Sequence, residues 1–204
     1  MIHANPAFPK RSYEGLIFDC DGTLTDSMPL HFVAWSRTLS RYGVHFPEDR
    51  FYALGGMPSK QIVSLLAGEH GVEVDAHQAA HEKEGLFMDL LHHLAPITEV
   101  IDVVKHFRGQ VPMAVASGGY RHIIQQQLEQ IGIVDWFNTI VTAEDTTRHK
   151  PDPDVFLLAA ERLGVRPEEC LVYEDSSLGI QAAQAAGMDF VDIRSFYQPK
   201  KYVD

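Results

Sequence analysis

The stretch Leu16-Ile17-Phe18-Asp19-Cys20-Asp21-Gly22-Thr23-Leu24-Thr25-Asp26-Ser27 decides how the rest of the chain is read. Its apolar start is too short for a helix and Gly22-Thr23 is a turn signal, which together predict a buried strand that breaks into a loop at its carboxyl end. Residues i and i+2 of extended backbone point to the same side, so Asp19 and Asp21 face one site while Cys20 turns into the packing. Two carboxylates aimed at one spot repel unless a cation or a shared proton relieves them. A divalent metal is the usual relief, and it makes phosphate a natural third party.

Beyond Ser27 the pattern changes to helical spacing: Met28, Phe32, Trp35, Leu39 and Tyr42, with Gly43 as a stop. A loop with Pro47, Gly55, Gly56 and Pro58 follows. Ser59 is placed to cap a helix carrying Ile62, Val63, Leu65 and Leu66, and a longer helix runs from Asp75 to the residues before Pro96. This block holds no strand signal. The chain then alternates. Thr98 is placed to cap a helix closed by Gly109, followed by a buried strand at Met113-Ala114-Val115-Ala116 that breaks at Ser117-Gly118-Gly119. A helix with Ile123, Ile124 and Leu128 leads to a strand at Thr139-Ile140-Val141. Asp152 is read as the cap of the next helix, with Pro153 in its first turn. Further strands at Leu171-Val172-Tyr173 and Phe190-Val191-Asp192-Ile193 flank a short helix ended by Gly187. Strand–helix alternation implies parallel strands with right-handed crossovers. The expected fold is a doubly wound, Rossmann-like parallel sheet of five or more strands. Residues 1–28 and 96–204 are expected to form this core, which would be the catalytic part of an enzyme, with a helical cap over 29–95 placed to be a lid.

The 204 residues suffice for one good core plus an insertion. No apolar run reaches the ~20 residues that a bilayer requires, and the first residues lack a signal-peptide pattern. Residues 1–14, with two prolines, read as a loose arm. Two cysteines make no disulfide framework and fit a reducing cytoplasm. A formal net charge of −11 disfavours nucleic acid and anionic membrane as partners, so a phosphate substrate must be drawn in by local positive charge. A monomer or weak dimer is expected.

Catalytic-looking groups fall at the carboxyl ends of four strand signals in turn: Asp19 and Asp21, Ser117, Lys150, then Glu174 and Asp175. Open parallel sheets bind ligands along that edge. Singly, each has a plainer reading: a strand-end turn, a loop serine, a solvated lysine, acids opening a helix. Four in succession do not. Asp19-Cys20-Asp21-Gly22-Thr23 resembles the first motif of the haloacid dehalogenase superfamily in its phosphotransferase form. Ser117 resembles the second, Lys150-Pro151-Asp152-Pro153 the third, and Glu174-Asp175-Ser176 with Gly179 the fourth. Within the superfamily the chain is most similar to the β-phosphoglucomutase-like group, on the branch of the bacterial fructose-1-phosphate and 6-phosphogluconate phosphatases.

The resemblance implies a Mg²⁺-dependent hydrolase of a small phosphorylated sugar or sugar acid. Asp19 is then the nucleophile and Asp21 the acid and base. Ser117 and Gly118 bind phosphate oxygens, and Lys150 pairs with phosphate and carboxylates. Mg²⁺ is held by Asp19, Asp175, the main-chain carbonyl of Asp21, and Glu174 nearby or through water. It also implies that His31 and Lys83 of the cap reach the substrate; otherwise both are helix-surface residues. His77 and His81, at i, i+4 spacing, read as a solvated face. In β-phosphoglucomutases an arginine clamps the distal phosphate where Ser59 aligns here, and its absence favours hydrolysis over the mutase alternative. A phospho-acceptor signalling module uses similar residues, but its acceptor lies on a later strand and it has no helical lid.

Overall fold

The computed structural model describes residues 5–200. Five strands form one parallel sheet: β1 (Gly15–Phe18), β2 (Met113–Ala116), β3 (Thr139–Val141), β4 (Cys170–Glu174) and β5 (Asp189–Asp192), in the order β3-β2-β1-β4-β5. Phe18 stands opposite both Val115 and Tyr173, so the residues following β1, β2 and β4 emerge side by side at one edge.

The pleat sorts the core. Leu16, Phe18, Val115, Leu171 and Tyr173 face α5 (Thr98–Phe107) and α6 (Arg121–Gln130). Ile17, Ala114, Ala116 and Val172 face α7 (Asp154–Leu163) and α8 (Ser177–Ala185). Cys20 and Cys170 are free, buried, and on opposite faces of the sheet. The order reverses direction beside β1, so the crevice at a doubly wound sheet's switch point opens at the end of β1.

Between β1 and α5 stand four helices: α1 (Met28–Ser40), α2 (Glu48–Ala53), α3 (Ser59–His70) and α4 (Ala76–Leu90). They enclose their own apolar cluster, including Trp35, Leu39, Phe46, Phe51, Val63 and Leu66. A second cluster joins Leu30, Phe87, Leu90 and Leu91 to Ile123 of α6, tying the block to the sheet layer. The two connecting segments run side by side: Asp26 N donates to Ala95 O at 2.9 Å and Ile97 N to Leu24 O at 3.0 Å.

Several local expectations are corrected. The six-residue α2 lies in a stretch read as loop; it is too short to show a period, and Phe51 alone anchors it. Ser59, Thr98 and Asp152 are not caps: Pro58, Ile97 and Pro153 hold those positions, and α7 starts at Asp154. Asp75 does cap α4, accepting from His77 N and Gln78 N. The loose arm was expected over residues 1–14, of which 1–4 lie outside the described residues. Residues 5–14 are tied down. The buried Tyr173 hydroxyl needs an acceptor and donates to Ala7 O at 3.0 Å. Tyr13 and Arg11 both donate to Asp189 Oδ2, at 2.8 and 3.0 Å. Among the described residues no helix is long and apolar enough to cross a membrane.

Candidate active site

Asp19 follows β1 directly, its N–H still donating to Tyr173 O at 3.0 Å. The chain then folds tightly, with the amides of Thr23, Leu24 and Thr25 all donating to Cys20 O. Gly22 has φ 74°, and a Cβ there would lie 2.1 Å from Asp175 Oδ2, so only glycine lets the first and fourth loops touch. Gly179 is equally constrained: a Cβ would lie 2.0 Å from the Glu174 carboxyl carbon.

Lys150 crosses from the loop before α7 and donates to Asp19 Oδ1 and Glu174 Oε2, each at 2.7 Å, with its side chain 3% exposed. The other Glu174 oxygen, Oε1, accepts from Asp175 N, Ser176 N and Ser176 Oγ. One oxygen from each of Asp19, Glu174 and Asp175 falls within 4.8 Å of the others. Burial pushes the Asp19 carboxyl up to about 8, with Lys150 opposing and Glu174 and Asp21 adding to the rise. Burial also drives Asp175 well above the usual carboxylate range, reinforced by Glu174 and Asp19. Lys150 is raised: against burial, Asp19 and Glu174 hold its proton. One lysine therefore faces three crowded acids, and the surplus negative charge with an all-oxygen donor set fits a hard divalent cation such as Mg²⁺. The side chain of Asp21 is not in this cluster.

Asp21 is held differently. Ser27 Oγ, His31 Nε2 and Gln127 Nε2 donate to its Oδ1, at 2.6, 2.8 and 2.9 Å, and Oδ2 takes no part in these bonds. Although burial acts to raise it, His31, Ser27 and Gln127 hold its carboxyl far below the usual range. Thus two carboxylates two residues apart are pushed in opposite directions. His31 is buried, with its ring 3.8 Å from and stacked on that of Phe87; its Nδ1 has no partner. An Nε2–H donor to an ionised Asp21 is the arrangement that leaves only a lone pair unsatisfied there.

Ser117 is 1% exposed, its N–H donating to Val141 O and its Oγ accepting from Gly119 N at 3.0 Å. Asp19, Asp21, Ser117, Gly118, Lys150, Glu174 and Asp175 line one cavity of about 110 Å³, together with His31 of α1 and Lys83 of α4. All the residues expected at the site share this cavity, and neither His31 nor Lys83 is a surface residue. His77 and His81 are exposed on α4, away from the cavity lining. Sequence reading missed Gln127, Ser27 and Glu84. Gln127 sits among apolar positions of α6 and is fully buried, and a buried glutamine on a helix's inner face was the available signal.

The model of the haloacid dehalogenase-like hydrolases matches residues 16–193. The chain belongs to this family. It is therefore a hydrolase by descent, as the four motifs imply, and several of the relatives it matches are named as phosphatases. It is 42% identical over 183 residues to the fructose-1-phosphate phosphatase YqaB of Escherichia coli, covering 89% of this chain and 97% of that one. It is 31% identical to a phosphorylated carbohydrates phosphatase of Thermotoga maritima, covering 86% and 82%. The crystal structure of β-phosphoglucomutase from Clostridium difficile superposes with a TM-score of 0.79 at 25% identity, covering 88% and 84%. Like these members of the haloacid dehalogenase-like family, the chain has a parallel sheet wrapped by helices.

Proposed function

We propose that the protein is a Mg²⁺-dependent phosphatase that hydrolyses a small sugar phosphate, of the fructose 1-phosphate or 6-phosphogluconate type, through an aspartyl-phosphate. The observation that carries this reading is the pairing of Asp19 with Lys150 beside two further acids, under a cap, at the mouth of β1. Lys150 takes Asp19 Oδ1, which leaves Oδ2 outside that ion pair to attack phosphorus. The phosphorus–oxygen bond to the sugar breaks, and the leaving oxygen receives a proton from Asp21. Asp21 then takes a proton from water as that water attacks the phosphoryl group, and the Asp19–phosphorus bond breaks to release inorganic phosphate. The resting geometry suits the second step, because an ionised Asp21 is poised as a base. For the first step Asp21 must hold a proton, which negative phosphoryl oxygens close by favour.

Asp19 and Asp175 are the side chains that would hold Mg²⁺, with Glu174 adjacent and the Asp21 carbonyl as a further ligand. When bound, the ion supplies neutralising charge at a phosphate oxygen. Ser117 Oγ and the amides around Gly118 supply hydrogen bonds to the remaining oxygens, and Lys150 supplies positive charge that the protein as a whole lacks. Residues 29–95 act as a lid that selects the substrate and limits water, over a core formed by 1–28 and 96–204. Partners are small phosphorylated sugars rather than nucleic acid or membrane, the setting is a reducing cytoplasm, and the protein is a monomer or weak dimer. Ser59 donates to Glu84 at 3.2 Å rather than offering a cation for a second phosphate, which favours hydrolysis over β-phosphoglucomutase activity.

Purified wild-type and Asp19→Asn proteins assayed with Mg²⁺ on a panel of sugar phosphates test this reading. Phosphate release is expected from the wild type and none from Asp19→Asn at an unchanged circular dichroism spectrum. Turnover retained in the variant removes Asp19 as nucleophile. A long-lived wild-type phosphoenzyme without turnover supports the signalling alternative, and isomerisation of β-glucose 1-phosphate faster than phosphate release supports the mutase.

A further inference from the structure

On the side of the inserted helices, α1, α3 and α4 all contribute to the cavity lining. Lys83 and Glu84 are both buried, at 4% and 8% exposure. Lys83 Nζ lies 3.2 and 3.3 Å from the two Glu84 oxygens, and Ser59 Oγ donates to Glu84 Oε1 at 3.2 Å. The Lys83 ammonium also stands 5.3 Å from the Trp35 ring centroid. Lys83, Glu84, Ser59 and Trp35 all line the cavity that holds Asp19.

Among the described residues lining the cavity, the cations are Lys150 and Lys83, His31 is the neutral donor to Asp21, and no arginine is present. Lys150 is committed to Asp19 and Glu174, His31 to Asp21, and Lys83 to Glu84. A bound divalent cation and the Ser117 loop would serve the transferring phosphate. That leaves no unmatched positive charge for a second anionic group on the substrate. A carboxylate or phosphate reaching Lys83 would have to share it with a buried Glu84, and two like charges would then sit together out of water.

We infer that the cap side of this site takes an uncharged polyhydroxyl end and rejects a second anion, with Glu84 as the discriminating residue. The inference rests on the phosphatase reading and narrows it: of the two substrate types proposed, the neutral sugar phosphate is the one that fits. Glu84 accepts from sugar hydroxyls and Lys83 donates to them, so a vicinal diol can satisfy both without separating the pair. An anion offers only acceptors, which Lys83 alone can answer and Glu84 repels.

The test uses two substrates that differ at one carbon. Glucitol 6-phosphate ends in an uncharged alcohol, and 6-phosphogluconate ends in a carboxylate. With Mg²⁺ present, wild-type kcat/KM is expected to favour glucitol 6-phosphate by ~10-fold or more, the usual order for juxtaposing buried like charges. Glu84→Gln keeps the shape and the bond to Ser59 but removes the charge. It is expected to narrow that preference by about 10-fold, mainly through KM for the anionic member. Because the readout is a ratio within one protein, a general loss of activity in the variant does not obscure it, and the wild-type ratio stands even if the variant fails to fold. If the wild type cleaves p-nitrophenyl phosphate but handles the carboxylate as well as the alcohol, or takes neither, the inference falls and the phosphatase reading survives. An unchanged ratio in a folded Glu84→Gln overturns Glu84 as the discriminator. No cleavage of any phosphate ester, p-nitrophenyl phosphate included, overturns the functional reading itself, and this inference with it.

Discussion

Replacing Lys150 with methionine isolates the charge arrangement on which the site depends. The side chain is 3% exposed and donates at 2.7 Å to Asp19 and to Glu174, whose side chains are 7% and 1% exposed. Methionine fills similar volume, so the change removes charge more than packing. Breaking a buried ion pair from one side costs ~3–5 kcal/mol, because the partner charge is left uncompensated. Glu174 keeps three donors on Oε1, so the uncompensated charge falls mainly on Asp19. Asp19 can escape by holding its proton, and that sets the pH dependence. Near pH 6 the carboxyl, pushed up to about 8 by burial, is protonated in wild type and variant alike, and the variant loses chiefly the Glu174 pair. Above about 8 the wild type ionises Asp19 against Lys150, whereas the variant must keep the proton or bury a bare charge. Each unit by which the variant's Asp19 lies higher adds ~1.4 kcal/mol. Urea unfolding in EDTA, followed by far-ultraviolet circular dichroism at pH 6 and pH 9, should therefore show a loss of ~3–5 kcal/mol that is larger at pH 9. A loss under ~1 kcal/mol at both values, or a smaller loss at pH 9, refutes the account of a lysine holding the acid cluster together.

Two further outcomes follow from the same electrostatics. In metal-free wild type, stability should fall as pH rises from ~4 to ~8, because folded Asp19 and Asp175 hold protons that the unfolded chain has released. Mg²⁺ should offset much of that fall and Asp19→Asn should flatten it. A melting temperature in EDTA that is constant across this range, with no Mg²⁺ shift at pH 8, contradicts the crowded-acid reading. Gln127→Leu removes a donor to Asp21 and one of the two acceptors of the Thr25 hydroxyl, at 2.8 Å, so Asp21 should titrate higher. The acidic limb of the kcat profile, where the second step needs ionised Asp21, should move up, with kcat lower by ~10-fold, about the value of one hydrogen bond to a charged group. An unmoved profile at reduced stability leaves Gln127 a structural residue only.

Much of this molecule was legible in its sequence because the signals are local. A four-residue apolar run ending in Asp19-Cys20-Asp21-Gly22 specifies a buried strand and a tight turn, and backbone alternation alone sends Cys20 into the core. Repeated strand–helix alternation specifies parallel strands, since no other connection fits between them. Helix starts were less legible: Ser59, Thr98 and Asp152 are all good capping residues, yet the neighbouring Pro58, Ile97 and Pro153 took the position. Burial of the following apolar face decides such starts, and it outweighs a single side-chain bond.

The residue types at the site, their order and their placement in the segments that follow the strands were thus set by the sequence alone. What only the tertiary structure decided is which oxygen each group uses. The sequence treats Asp19 and Asp21 as a matched pair, but folding places one against Lys150 and two acids, and the other against Ser27, His31 and Gln127. Their opposite displacement from the ordinary carboxylate range depends on groups spread along the chain, from Ser27, six positions from Asp21, to Glu174, 155 positions from Asp19. The same holds for Glu84, an unremarked helical acid until Ser59 and Lys83 close around it. Proton affinity and charge balance depend on desolvation and on distances between groups far apart in sequence, and those exist only once the sheet has brought its loops to one edge.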